Sequence, residues 1–218
     1  VFAASGSVEV LELLAVAFLE PGDTVVSSEK TFAMYALATE KAGAEFRAAP
    51  MTDGGYRYDL EAMAGLLDPT VKLVFLANPT NPTGTWFTAT EFDRFMARVP
   101  TDTLVVYDSA YEEYASVGDL PDPMIYFRAD RRILLLRTLS KAYGLAGIRI
   151  GYAVGPAEII QGLMMVRTPF NTSLVAQAGA LAALDDTDFL RRSREHSDRE
   201  LAFPLALQSQ PVKPNVRH

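Results

Sequence analysis

The stretch Ile133-Leu-Leu-Leu-Arg137-Thr-Leu-Ser-Lys141-Ala-Tyr-Gly-Leu-Ala-Gly-Ile-Arg149 decides how the rest of the chain is read. It opens with an apolar run of strand length and continues as a glycine-bearing polar segment. That segment carries one lysine and, eight positions later (149 − 141), one arginine. A buried strand that delivers a lysine, hydroxyls and an arginine into one loop suits a ligand with both a carbonyl and a phosphate. The amine condenses with the carbonyl, and the arginine and hydroxyls donate charge-assisted hydrogen bonds to the phosphate. Taken alone, the stretch is equally well explained as a surface Lys-Arg pair on a loop.

Composition narrows the choice. With 218 residues, 49% hydrophobic and 22% charged, the chain buries a substantial core as one large domain, or one domain plus a fragment of another. A net charge of −7 and the lack of any dense Lys/Arg cluster argue against a nucleic-acid partner. With no cysteine, disulfides, thiolate zinc sites and cysteine nucleophiles are excluded. His196 and His218 are the only histidines and are expected to be solvated surface residues, so no metal site is expected. Apolar runs such as Leu13 to Leu19 are shorter than the roughly 20 residues a bilayer span requires. No secretory signal is evident, and the expected setting is cytoplasmic, without membrane attachment. Because Val1 lies in what reads as the approach to a helix, a preceding segment is expected.

Helical and strand patterns alternate along the chain. Helices are predicted over Val8–Leu19, Phe32–Lys41, Asp59–Leu67, Ala89–Arg98 and Pro156–Val166. Strands are predicted over Thr24–Ser27, Ala44–Ala48, Val71–Ala77, Thr103–Tyr107, Ile133–Leu136 and Ile150–Val154. This alternation predicts an α/β fold, a mainly parallel central sheet flanked by helices. Leu174–Leu184 and Asp188–Leu201 read as helices, and the stretch from Gln208 has little periodicity. A boundary near residues 169–186 divides the chain into a large domain, 1–185, and the start of a second, incomplete domain, 186–218.

Three further segments sit at predicted strand or helix ends. Asn78-Pro-Thr-Asn81-Pro82-Thr83-Gly84 follows a strand, either as a plain tight turn or as a rigid loop presenting the Asn81 amide to a ligand oxygen. Val105-Val-Tyr-Asp108-Ser-Ala-Tyr111 ends a strand in an acid followed by a phenol. A carboxylate there is costly unless paired. Facing a pyridine nitrogen, Asp108 holds that nitrogen protonated, and Tyr111 reaches a phenolate oxygen on the ring. The alternative is that Asp108 merely caps the next helix. Ala4-Ser-Gly6-Ser7-Val8-Glu9 precedes a helix, where free N–H groups favour a phosphate, although an ordinary serine cap fits equally. Phe32 is either core or a ring stacked on a flat ligand. Pyridoxal 5'-phosphate (PLP) meets all of these requirements.

Together, Asn81-Pro82-Thr83-Gly84, Asp108-Ser-Ala-Tyr111 and Thr138-Leu-Ser140-Lys141 with Arg149 resemble the fold-type I PLP-dependent aminotransferases of class I/II, in particular the histidinol-phosphate aminotransferase branch. The resemblance runs from about Ser5 to Asp186 and includes Pro169-Phe-Asn171. It implies a PLP-dependent transferase large domain in which Lys141 forms the Schiff base and moves protons. Asp108 pairs with the pyridine nitrogen, Asn81 and Tyr111 contact the phenolate oxygen, and Phe32 stacks on the ring. Gly6, Ser7, Val8, Thr138, Ser140 and Arg149 surround the phosphate. Val8 departs from the frequent Asp or Asn of this branch, and Ser109 from a frequent Glu.

The implied reaction moves an amino group between an amino acid or amino phosphate, histidinol-phosphate-like or aromatic, and a 2-oxo acid acceptor, in a homodimer. The branch also has an N-terminal arm and a C-terminal small domain with a carboxylate-binding arginine. Neither is recognised here, and Arg217 does not match that arginine. Four rival readings remain at this stage: a PLP-dependent decarboxylase, a C-S lyase, a PLP-binding sensor module and an inactive fragment.

Overall fold

The structure, a computed structural model, describes residues 1–208 except Asp53, with side chains described through Leu201. The expectations for Arg217, His218 and the stretch beyond Gln208 fall outside the described residues. Seven strands form one sheet: β1 (Phe2–Ala4), β2 (Thr24–Ser28), β3 (Glu45–Ala49), β4 (Val71–Ala77), β5 (Leu104–Asp108), β6 (Ile133–Thr138) and β7 (Gly151–Val154). Their order is β1-β7-β6-β5-β4-β2-β3. The pairings from β3 through β6 are parallel, whereas β7 runs antiparallel to both β6 and β1. The expected mainly parallel α/β sheet is thus the fold observed.

Helices cover both faces, which is why the strands read as continuous apolar runs rather than as alternations. On one side α1 (Ser7–Phe18), α2 (Met34–Lys41) and α6 (Ala157–Val166) pack Leu11, Leu14, Tyr35 and Ile159 against Phe75, Val106, Leu134 and Leu136. On the other, α3 (Leu60–Gly65), α4 (Ala89–Met96) and α5 (Pro123–Arg128) pack Met63, Phe92, Phe95 and Met124 against Val74, Leu76, Val105 and Tyr107. Phe75 is 1% exposed, and emptying its volume by substitution to alanine costs roughly 3–5 kcal/mol. Two further helices follow, α7 (Leu174–Asp185) and α8 (Thr187–Gln208). The side chain of Arg194 on α8 donates to the Glu113 carbonyl, tying this helix to the 3-10 turn Glu112–Tyr114.

Three differences from the sequence reading have physical causes. The chain opens as strand β1 rather than as an approach to a helix, because Phe2–Ala4 is defined by pairing with β7, far away in sequence. The second helix begins at Met34, leaving Phe32 on the preceding loop. Helix α5 was not anticipated, although Asp122 caps it through Met124 N–H and Pro123 occupies its first turn. His196 is exposed, as expected.

Candidate active site

Side chains alternate along a strand, so Leu104, Val106 and Asp108 of β5 share one face, as do Leu134, Leu136 and Thr138 of β6. That is the face covered by α1 and α2. Strands β4, β5 and β6 end at Ala77, Asp108 and Thr138, and a cleft opens beyond these carboxyl ends. Every predicted site residue lines this cleft except Gly6.

The antiparallel return of β7 explains how Lys141 and Arg149 meet. Thr138 pairs with Gly151, and Leu139 N–H donates to the Ile150 carbonyl at 3.1 Å, closing the loop between them at its base. Arg149 thereby reaches back to Ser140 Oγ at 3.4 Å and to the Ser5 carbonyl at 3.5 Å. Its backbone is left-handed (φ 57°), and its guanidinium lies across Gly6. A Cβ on Gly6 would stand 2.3 Å from Arg149 Nη2, and Gly6 itself has φ 84°, so only glycine fits. Gly6 is therefore the floor beneath the arginine rather than part of the cleft wall. No side chain caps α1. Its first-turn N–H groups, Arg149 and the hydroxyls of Thr138 and Ser140 make a cradle for a polyanion.

At the other end, Asp108 is 5% exposed. Burial pushes its carboxyl up to about 6, opposed by a hydrogen bond from Tyr35, another from Ala110 N–H and the nearby Lys141 charge. Tyr35 Oη donates to Oδ2 at 2.8 Å, and Ala110 N–H donates to Oδ1 at 3.1 Å. The Lys141 ammonium lies 5.1 Å from the centroid of the Tyr111 ring. Asn81 lines the cleft, but its neighbour in the motif, Asn78, does not. Asn78 is fully buried, bonded to the Phe87 backbone and to the Tyr107 hydroxyl at 2.9 Å, and pins the loop that carries Asn81. Both Asn78–Pro79 and Asn81–Pro82 are cis. Ser109 is buried and donates to the Leu136 carbonyl at 3.2 Å, where a glutamate would bring a second buried charge beside Asp108.

Two contributors were missed by sequence reasoning. Tyr35 lines the cleft and bonds Asp108 across 73 residues. No local pattern marks it, because a buried tyrosine in a helix reads as core. Arg137 pairs with both Glu112 and Glu113 at 2.9 Å, bracing the end of β6 against the turn after Tyr111. Its place beside the Lys141 motif was the one available signal. Among the described residues no group of three His, Asp or Glu side chains is placed to hold a metal ion, and no helix is long and apolar enough to cross a membrane.

One cleft thus brings together donors suited to a polyanion, a buried carboxylate and a lysine. The chain belongs to the family described as aminotransferase class I and II, whose model matches residues 1–203. It is 48% identical over 198 residues to histidinol-phosphate aminotransferase 2 of Pseudomonas aeruginosa, covering 91% of this chain and 53% of that protein. It is 46% identical over 194 residues to histidinol-phosphate aminotransferase of Anaeromyxobacter sp., covering 89% and 53%. Among solved structures, histidinol-phosphate aminotransferase from Sinorhizobium meliloti in complex with pyridoxal-5'-phosphate superposes with a TM-score of 0.82 at 33% identity, covering 88% and 52%. Thermus thermophilus aspartate aminotransferase with maleate superposes with a TM-score of 0.82 at 26% identity, covering 90% and 53%. The chain thus spans about half the length of the curated relatives it matches.

Proposed function

We infer that this chain is the cofactor-binding part of a PLP-dependent aminotransferase acting on histidinol phosphate or an aromatic amino acid, with a 2-oxo acid as acceptor. The observation that carries this reading is the spacing of opposite demands in one cleft: the cradle of Arg149, Ser140 and the uncapped α1 terminus, and Asp108 backed by two donors. PLP has a phosphate for the first and a basic ring nitrogen for the second, so the residues fit the group. When bound, PLP supplies an aldehyde that links to amines and a conjugated ring that takes up the electron pair released at the substrate carbon.

The chain's own residues divide the remaining work. Arg149, Thr138, Ser140 and the N–H groups of Ser7 and Val8 would hold the phosphate, with Gly6 giving the arginine room. Asp108 keeps a proton on the ring nitrogen, and its negative charge is what makes electron uptake by the ring favourable. Asn81 and Tyr111, which line the cleft, would bond the phenolate oxygen, and Phe32 would lie against the ring. Lys141 would hold the cofactor and, as a free amine, would move the proton that leaves the substrate α-carbon. The names of the relatives support histidinol phosphate as donor.

Residues 1–185 are assigned to the large domain and 186–218 to the start of a small domain. The assembly is read as a homodimer, in keeping with the exposed apolar side chains Met165, Phe170, Leu174 and Val175 on α6, α7 and their connection. The setting is read as cytoplasmic.

The test is a single-turnover reaction of PLP-loaded protein with histidinol phosphate, followed by absorbance and product analysis. Conversion to the pyridoxamine form with release of the matching oxo compound supports transamination. Release of carbon dioxide or of a thiol from suitable donors assigns decarboxylase or lyase chemistry instead. No PLP uptake refutes the cofactor reading.

A further inference from the structure

We propose that Tyr35 is a positioning residue that locks the plane of Asp108 and keeps it a carboxylate, so that it can pair with a protonated ring nitrogen; this rests on the cofactor reading above. Tyr35 is completely buried and fixed on three sides. Its ring stacks on Phe75 of β4 (4.7 Å, 11° between planes), and Phe32 meets it edge-on (5.8 Å, 87°). Its carbonyl accepts from Thr39 Oγ1 at 2.7 Å. The hydroxyl so held reaches Asp108 Oδ2 at 2.8 Å, while Ala110 N–H holds Oδ1 at 3.1 Å. With one donor on each oxygen, the carboxylate cannot turn without breaking both bonds, and its remaining acceptor capacity is left to the cleft it lines.

The same geometry selects the charge. Donors on both oxygens favour the anion, whereas burial favours the neutral acid, which has no use for two donors. The titratable groups near Asp108 are Tyr35 from α2, Tyr58 ahead of α3, Tyr111 after β5 and Lys141 after β6. Burial and the adjacent Asp108 charge hold the Tyr35 hydroxyl well above its ordinary range, so it remains a donor. The hydroxyl, not the ring, is the discriminating group, because phenylalanine fills the same space between Phe32 and Phe75.

The experiment compares the wild-type chain with Tyr35→Phe, using two probes. Without cofactor, carbon-13 NMR follows the Asp108 carboxyl, assigned by its loss in Asp108→Asn. Its midpoint should rise by about one unit or more in Tyr35→Phe, the tenfold change expected from losing one hydrogen bond to a charged group. With nitrogen-15-labelled PLP at fixed pH, the ring-nitrogen signal should move toward its unprotonated position in Tyr35→Phe, as the shared proton passes toward the more basic carboxylate, and Tyr35→Phe should add nothing in the Asp108→Asn background. Incorporating 3-fluorotyrosine at position 35, a stronger donor of nearly the same size, should move the carboxyl midpoint the opposite way, and this arm stands even if Tyr35→Phe folds poorly. Unchanged carboxyl and nitrogen titrations in a protein that binds PLP overturn the proposal alone. A wild-type chain that takes up no PLP overturns the cofactor reading and the proposal with it.

Discussion

Burial holds the Asp108 carboxyl at about 6, above the value of about 3.9 expected in an unfolded chain, so the folded state binds more protons between those limits. Stability contributed by this group is therefore present at low pH and lost as pH rises through about 6. In cofactor-free protein, Asp108→Asn should thus gain on wild type between pH 4 and pH 7, by roughly 2–3 kcal/mol, visible as a widening difference in Tm. A difference in Tm that does not change with pH would count against a strained carboxylate. The same substitution should slow the single-turnover reaction more than a hundredfold, since removing a buried charge partner costs about 3–5 kcal/mol. Borohydride reduction of the PLP-loaded chain should leave the pyridoxyl group on Lys141, and mass spectrometry that found it on Lys72 would undo the site assignment. Lys141 and Asp108 were legible in the sequence because each ends or follows an apolar run within a few residues, and Arg149 because it directly precedes one. Tyr35 was not, because its meaning comes from a partner 73 residues away.

At the scale of elements, the site depends on how two termini are finished. Helix α4 has a full capping box: Thr88 Oγ1 accepts from Glu91 N–H, and the Glu91 carboxylate accepts from Thr88 N–H. Helix α1 has no side-chain cap, which leaves its N–H groups for a ligand. Thr88→Ala should accordingly lower stability by about 1 kcal/mol in denaturant melts without altering PLP affinity. Gly6→Ala should touch both, straining the backbone at φ 84° by about 1–3 kcal/mol and weakening PLP binding at least about tenfold in equilibrium dialysis, because its Cβ takes the place of Arg149 Nη2. Unaltered affinity in Gly6→Ala would mean that the arginine does not hold the phosphate. The strands with long apolar runs were readable, since helices on both faces bury every position. Strand β1 was not, because three residues carry no period, and the antiparallel turn of β7 is set by partners rather than by its own letters.

The molecule presents a sheet closed on both faces and an apolar margin that nothing among the described residues covers. Phe170 is 95% exposed and Met165 85%, beside Leu174 and Val175 on α7. Side chains of this kind in contiguous positions favour association, so sedimentation at micromolar concentration should give a dimer, and Phe170→Ser with Leu174→Ser should shift it toward monomer. A chain that sediments as a monomer before substitution would remove the basis for the assignment. The even helix-strand alternation made the architecture legible. The exposed margin was invisible, because an apolar helix face reads as core until the structure shows which side it turns outward.

The uncapped start of α1 and the guanidinium of Arg149 together form a small electropositive pole on a chain whose net charge is −7. Such a pole does not distinguish a cofactor phosphate from a free one, so the solution itself becomes a competitor. Inorganic phosphate at a hundredfold excess over its own dissociation constant should stabilise the cofactor-free chain by about 2.7 kcal/mol and slow its reconstitution with PLP in proportion to occupancy. A chloride-based buffer should do neither, so protein purified in chloride should retain more cofactor than protein purified in phosphate.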